Sequence, residues 1–317
     1  MREPDSYSPQ DPQWDNTTAK DWPEQCEEVE IPSSVDGKNQ AAYIYKSSGN
    51  QPRPLLISLH TWSFNYQQED PLSWLAIAKN LNYIHPDFRG VNNTSEACGS
   101  PLVSSDIDDA IDYSIETCNV DGNNIHIIGV SGGGHAALLA YMTSRHSIKS
   151  YSAWAPITNF VDWFRETEAR KTKYAKHIAQ ATTGLSFEHE PYYLGEDEAR
   201  KRSLVNMPTP TLQRRDSKLH IYAGIHDGYT GSVPITHSLN MYNKLIRDFD
   251  CDEKQALVSA SDIVELLSSR SFSKPSQSIL GDRKIHYQKN YKDCLQLTVF
   301  EGGHELLVDV ALSHIDY

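Results

Sequence analysis

The chain reads as an α/β protein: a mostly parallel, twisted sheet flanked by helices, with a helical cap inserted between core strands. Three observations point there. Short apolar, β-branched runs alternate with amphipathic stretches of helical length. Two of those runs, residues 54–60 (Pro-Leu-Leu-Ile-Ser-Leu-His) and 125–130 (Ile-His-Ile-Ile-Gly-Val), are nearly continuous in apolar residues, as strands buried on both faces are. Residues 157–216 then depart from the alternation while chemistry-bearing residues resume on either side of them.

Composition bounds the answer. With 317 residues, 38% hydrophobic and 22% charged, the chain suits one large domain over 27–317, preceded by a Pro-, Asp- and Gln-rich lead-in over 1–26 that reads as poorly ordered, or alternatively as pinned to the domain by Trp14 and Trp22. A net charge of −13 argues against a nucleic-acid partner, which favours a basic face. No apolar run reaches the roughly 18 residues a membrane span requires. Met1-Arg2-Glu3-Pro4-Asp5 is too polar for a secretory leader. The expected location is secreted or periplasmic if a leader has been removed, and cytoplasmic otherwise. None of the five cysteines forms a Cys-x-x-Cys pair, so no zinc site is expected. Cys251 and Cys294 flank an inserted stretch, after a helix and before a strand, and could form a disulfide in an oxidising compartment. A helix between Cys98 and Cys118 would hold those two about 20 Å apart.

Taken in order, 28–32 and 41–46 read as edge strands joined at Asp36-Gly37, and 54–60 as the first buried strand. Residues 72–81 look helical and 82–85 extended. Pro86-Asp87-Phe88-Arg89-Gly90 could hold the Arg89 guanidinium in a fixed hydrogen-bond network. Residues 105–117 form an amphipathic helix whose Asp106, Asp108, Asp109 and Asp112 suit a solvated face better than a metal site. After 125–130 come a helix to about Ser144 and a strand over 150–154. Within 157–216, Phe160, Trp163, Phe164, Tyr192 and Tyr193 suggest a cap with its own aromatic core. Residues 219–223 and 295–300 are the remaining core strands; between them lie a helix to about Asp248 and an insertion over 251–293, with one helix at 255–268 and a serine-rich loop.

The stretch that organises the chemistry is Gly129-Val130-Ser131-Gly132-Gly133, set between a strand and an Ala/Leu-rich helix. In that context Gly-x-Ser-x-Gly marks a nucleophilic serine. The turn is sharp and strains the serine backbone, and side chains at Gly129 and Gly133 would collide with strand and helix. The N–H of Gly132, at a helix N-terminus, can stabilise an oxyanion. A second donor belongs after strand 54–60, at His60-Thr61-Trp62, where either the Thr61 or the Trp62 N–H could serve. His60 itself reads as a buried structural histidine. Asp227, just past strand 219–223, is placed to be the acid, and His304, in Glu301-Gly302-Gly303-His304-Glu305 after the last strand, to be the base. His226 beside Asp227 is poor grounds for a metal. Trp62, Trp154, Arg89 and Tyr229 are the residues expected to meet substrate, with Trp154 expected to face it from a strand end.

The order Ser131, Asp227, His304, each after a strand, resembles the α/β-hydrolase superfamily over roughly residues 27–317. Asp-Phe-Arg-Gly at 87–90, Ser-Gly-Gly-Gly-His at 131–135 and the Val-Pro after Asp227 look most like its prolyl-oligopeptidase-like branch, which holds peptidases and acetylxylan-type carbohydrate esterases. His304-Glu305 is similar to the ending of some sugar deacetylases, whereas Gly132 stands where their nucleophile motif carries Gln. The resemblance implies a serine esterase acting on a small-molecule or carbohydrate ester, with no cofactor. The other readings are a serine peptidase of the same branch and a non-catalytic binding protein. Such peptidases usually carry a propeller domain, for which this chain has no room, and that favours the esterase.

Overall fold

The computed structural model describes residues 22–249 and 255–315. Its centre is a ten-stranded sheet. The strands are β1 (Glu27–Pro32), β2 (Asn39–Tyr45), β3 (Arg53–Leu59), β4 (Asn82–Pro86), β5 (Val120–Val130), β6 (Ser150–Trp154), β7 (Lys218–Gly224), β8 (Ile279–Leu280), β9 (Arg283–Tyr291) and β10 (Leu295–Phe300). Their order across the sheet is β1-β2-β4-β3-β5-β6-β7-β10-β9-β8. Strands β4, β3, β5, β6, β7 and β10 run parallel, while β1, β2 and β9 join antiparallel.

Period-two alternation sorts the inner strands onto two cores. Ile57, Ile127, Tyr151, Ile221 and Leu297 pack under α2 (Pro101–Thr117), α3 (Gly132–Thr143) and α7 (Thr236–Asp248). Leu56, Ile128, Val130, Trp154, Tyr222 and Phe300 pack on the other face, under α1 (Leu72–Ala78) and α9 (Val308–Ala311). A third cluster belongs to the cap, formed by α4 (Phe160–Ala169), α5 (Lys173–Thr183) and α6 (Glu196–Arg202). Asn159 starts α4 as an N-cap, its Oδ1 accepting from the N–H groups of Val161 and Asp162. Phe160, Trp163, Phe164, Tyr174 and Ile178 fill the cap's interior, as its aromatic content suggests, while Tyr193 stays exposed.

Two expectations change. The 251–293 stretch holds more than α8 (Ala260–Ser269) and a loop, because β9 extends the main sheet on the open side of β10. Its lettering hides this: only Ile285, His286 and Tyr287 are buried in an otherwise polar strand. The acidic face of α2 is not solvated. Asp106, Asp108 and Asp109 are buried and take hydrogen bonds from Arg89, from Ser144 and Arg145, and from Ser34 N–H. At the N-terminal side, Trp22 stacks on Tyr43 with ring centroids 4.3 Å apart, while Trp14 lies outside the described residues. The Cys251–Cys294 pairing also lies outside them, through Cys251; Cys294 is a free thiol that donates to Tyr291 O. Among the described residues no helix is long and apolar enough to cross a membrane.

Candidate active site

Ser131 joins β5 to α3 with φ 59° and ψ −117°, a backbone state that costs a non-glycine residue about 1–3 kcal/mol. Two contacts hold it there. Its N–H donates to Trp154 O at 2.9 Å, and its carbonyl accepts from His135 N–H at 2.9 Å. A Cβ on Gly129 would fall 2.2 Å from Gly133 O, so strand and helix meet only because that residue is glycine. The elbow read from the sequence is present.

Asp227 follows β7, two positions along the sheet from the β5 end that carries Ser131, and His304 follows β10, one position further. His304 Nδ1 lies 2.8 Å from Asp227 Oδ2. An ionised carboxylate only accepts, so Nδ1 carries the proton and Nε2 is left basic. The other oxygen, Asp227 Oδ1, accepts from Gly228 N–H at 2.9 Å and Val233 N–H at 3.0 Å, which fixes the carboxylate's rotation. Both side chains are buried, as is Ser131.

Sequence reasoning missed the support around this pair. Glu301 Oε1 lies 2.7 Å from His226 Nε2, and Oε2 lies 2.7 Å from His286 Nε2. The residue beside the acid, the end of the last strand and β9 are thereby joined through one carboxylate. Burial pushes the Glu301 carboxyl up, but the two imidazoles pull it net down to about 2. Glu305 accepts from Gly303 N–H at 2.9 Å and faces Arg283, which steadies the loop carrying His304.

The loop after β3 lies against the elbow. A Cβ on Gly132 would come within 2.4 Å of Trp62 N and 2.6 Å of Trp62 Cα. Of the two candidate N–H donors, Thr61 is engaged elsewhere, donating to Gln68 Oε1 at 2.9 Å. His60 is the structural residue expected: Nδ1 reaches Thr61 O at 3.0 Å, and the ring stacks on Phe88 at 3.9 Å. Burial keeps it neutral, its pKa held down to about 3.

The residues expected to meet substrate fare differently. Trp154 is core, fully buried, stacked on Tyr222 at 4.0 Å and edge-on to Phe300, with Nε1–H donating to Ser152 Oγ. The strand alternation sends its side chain to the face under α1 and α9, away from an edge position. Arg89 is likewise no substrate residue: Asp36, Ser33 and Asp106 take up its guanidinium in the fixed network its loop suggested. Trp62 is buried beneath the cap, edge-on to Trp163 at 4.8 Å, its Nε1–H donating to His177 Nδ1 at 3.3 Å. Tyr229 stands exposed two residues past Asp227, under the Arg270 guanidinium.

The cap is tied down over this site. Arg170 donates to Gly231 O at 2.8 Å and Ser232 O at 2.7 Å, and Trp163 Nε1 donates to Ser232 O at 3.0 Å. Gly231 and Ser232 belong to the loop that turns around Asp227.

A parallel sheet with a serine on a strained elbow and an Asp-His pair at neighbouring strand ends defines an α/β-hydrolase of the serine type. Residues 43–245 match the BD-FAE family model, and the chain belongs to that α/β-hydrolase family. Solved structures agree on the fold. The acylaminoacyl peptidase of Pyrococcus horikoshii matches 71% of this chain at 17% identity and a TM-score of 0.53. A puromycin-hydrolysing peptidase of Mycobacterium tuberculosis matches 70% at 13% identity and a TM-score of 0.52. Oligopeptidase B from Leishmania major matches 91% at 12% identity and a TM-score of 0.56. The chain covers 35%, 34% and 35% of those proteins respectively, about a third of each, so it is prolyl-oligopeptidase-like in its hydrolase fold. Comparison with curated protein sequences yields no match.

Proposed function

We propose that the chain is a serine esterase that hydrolyses a carboxylic ester through an acyl-enzyme, with Ser131 as nucleophile, His304 as base and Asp227 as the acid that orients it. The observation that carries this reading is the 2.8 Å His304–Asp227 pair, at the ends of the strands two and three positions from the one that ends in the strained Ser131 elbow. Ser131 Oγ attacks the carbonyl carbon while His304 Nε2 takes its proton. Asp227 keeps the proton of Nδ1 in place and stabilises the imidazolium. The N–H groups of Gly132 and Trp62 hold the oxyanion, each worth about 3 kcal/mol in such sites. Collapse expels the alcohol, protonated by His304, and water then repeats the sequence on the acyl-enzyme.

Trp154, the aromatic expected to stack on a sugar, is core, and the exposed Tyr229 ring lies under the Arg270 guanidinium, so the proposed substrate is a carboxylic ester with its alcohol left open. A fluorophosphonate should label Ser131, and p-nitrophenyl acetate should turn over where an aminoacyl-p-nitroanilide does not. Comparable kcat/KM on the anilide would make the protein a peptidase. Failure of both the label and both substrates would leave a binding protein on a hydrolase fold.

A further inference from the structure

This chain carries Thr61 where many such hydrolases place a glycine beside the oxyanion, and the loop is held instead by side chains. Gln68, buried at 1% exposure, folds back seven residues to Thr61. Its Oε1 accepts from Thr61 N–H at 2.9 Å and from Thr61 Oγ1–H at 2.7 Å. A backbone N–H can only donate, so the oxygen of the amide is the atom at that position. On the far side, Asn92 grips the next peptide: its N–H donates to Trp62 O at 3.0 Å and its Nδ2–H to the same oxygen at 3.4 Å. Asn92 Oδ1 is itself fixed by Cys98 N–H at 2.9 Å.

The short segment Thr61–Trp62 is therefore clamped at both ends. Rotation of the 61–62 peptide is what would turn Trp62 N–H away from Gly132, and both grips oppose it. Two bonds into one buried acceptor also keep Thr61 N–H from competing for an incoming carbonyl. We propose that Gln68 is a positioning residue of this hydrolase, setting Trp62 N–H as the second oxyanion donor while withdrawing Thr61 N–H from that role. The inference rests on the serine-hydrolase reading above. It applies equally to ester and amide substrates, because both pass through a tetrahedral oxyanion.

The test uses the full chain with Gln68→Met, which keeps the bulk and removes the acceptor, and Gln68→Glu, which keeps an acceptor. Misaiming one donor should lower kcat on p-nitrophenyl acetate about 10- to 100-fold in Gln68→Met, with KM within about threefold. Affinity for a trifluoromethyl ketone, which forms a hemiketal oxyanion on Ser131, should fall by the same factor as kcat. Gln68→Glu should recover kcat, relative to wild type, more fully as pH is lowered and its buried carboxyl is protonated, since the acid's C=O then accepts the same two bonds without a charge that opposes the oxyanion. A role confined to packing would lower Tm and leave the kcat of the folded variant unchanged. Should Gln68→Met fail to fold, Gln68→Asn replaces it, an amide one methylene too short to reach Thr61. For either folded variant, kcat within about twofold of wild type overturns the proposal, because a lost donor costs far more. A wild-type protein that neither takes the fluorophosphonate nor turns over ester overturns the hydrolase reading itself, and the positioning role with it.

Discussion

His304 Nδ1 and Asp227 Oδ2 meet at 2.8 Å across 77 residues of chain, brought together because β7 and β10 are neighbours in the sheet. Losing the carboxylate's charge while keeping its shape should leave the imidazole in the wrong tautomer. Asp227→Asn is expected to lower kcat on the order of 10⁴-fold with little change in Tm. Ser131→Ala should abolish turnover with the fold intact, as judged by circular dichroism. Turnover within tenfold of wild type for Ser131→Ala would sink the nucleophile assignment. Greater sensitivity at Asp248, which is paired with Lys244 and Thr209, would sink that of the acid.

Trp154→Ala should behave as a core deletion. The indole is fully buried between Tyr222 and Phe300, so removing it is expected to cost about 3–5 kcal/mol of stability. Activity should fall equally on a small acetate ester and on a glycosidic ester, since the ring does not stand at a substrate face. A rise in KM confined to the glycosidic ester would return Trp154 to the binding site.

Arg170 holds the cap to the loop around Asp227 through two carbonyls, and Ser131 beneath is only 2% exposed. We predict that substrate enters past this contact. Arg170→Met keeps the side chain's length and removes both donors. It should speed fluorophosphonate labelling of Ser131 severalfold while lowering stability by about 1–3 kcal/mol, the range for one freed buried carbonyl, since Gly231 O loses its donor while Ser232 O keeps Trp163 Nε1. Unchanged labelling kinetics at a lowered Tm would show that entry does not pass this clamp.

Several buried imidazoles give stability a definite pH dependence. Burial holds His60 and His237 down to about 3 and His135 to about 4. In the unfolded chain the same rings take a proton near pH 6.5. Between those limits the unfolded state binds more protons, so stability falls as pH drops from about 6.5 toward 4. Glu301 acts lower down: with its carboxyl held at about 2, its contribution is full above the ordinary carboxylate range and is lost only as pH falls toward 2. Melting curves from pH 8 to 4 should show Tm falling below pH 6.5. His60→Asn should melt lower at pH 8 yet lose less on acidification. A Tm independent of pH over that range would contradict the neutral, buried state of these rings.

The sheet, the cap and the proposed triad were legible in the residues because each leaves a local mark. A parallel strand is apolar on both faces, a nucleophile elbow requires its glycines, and Asp227 and His304 each stand in a short loop after an apolar run. What the chain order could not reveal depends on which elements meet. Trp154 ends a strand, but its side belongs to whichever face α1 and α9 cover, a matter of tertiary packing. Arg89 finds Asp36 and Asp106 only after β2, β4 and α2 come together, which turns a loop cation into part of the frame. Strand β9 is too polar to announce itself and becomes a strand by pairing with β10. The choice we propose between Thr61 and Trp62 turns on Gln68, seven residues on, because a backbone N–H can be weighed for a role only once its competing acceptor is in place.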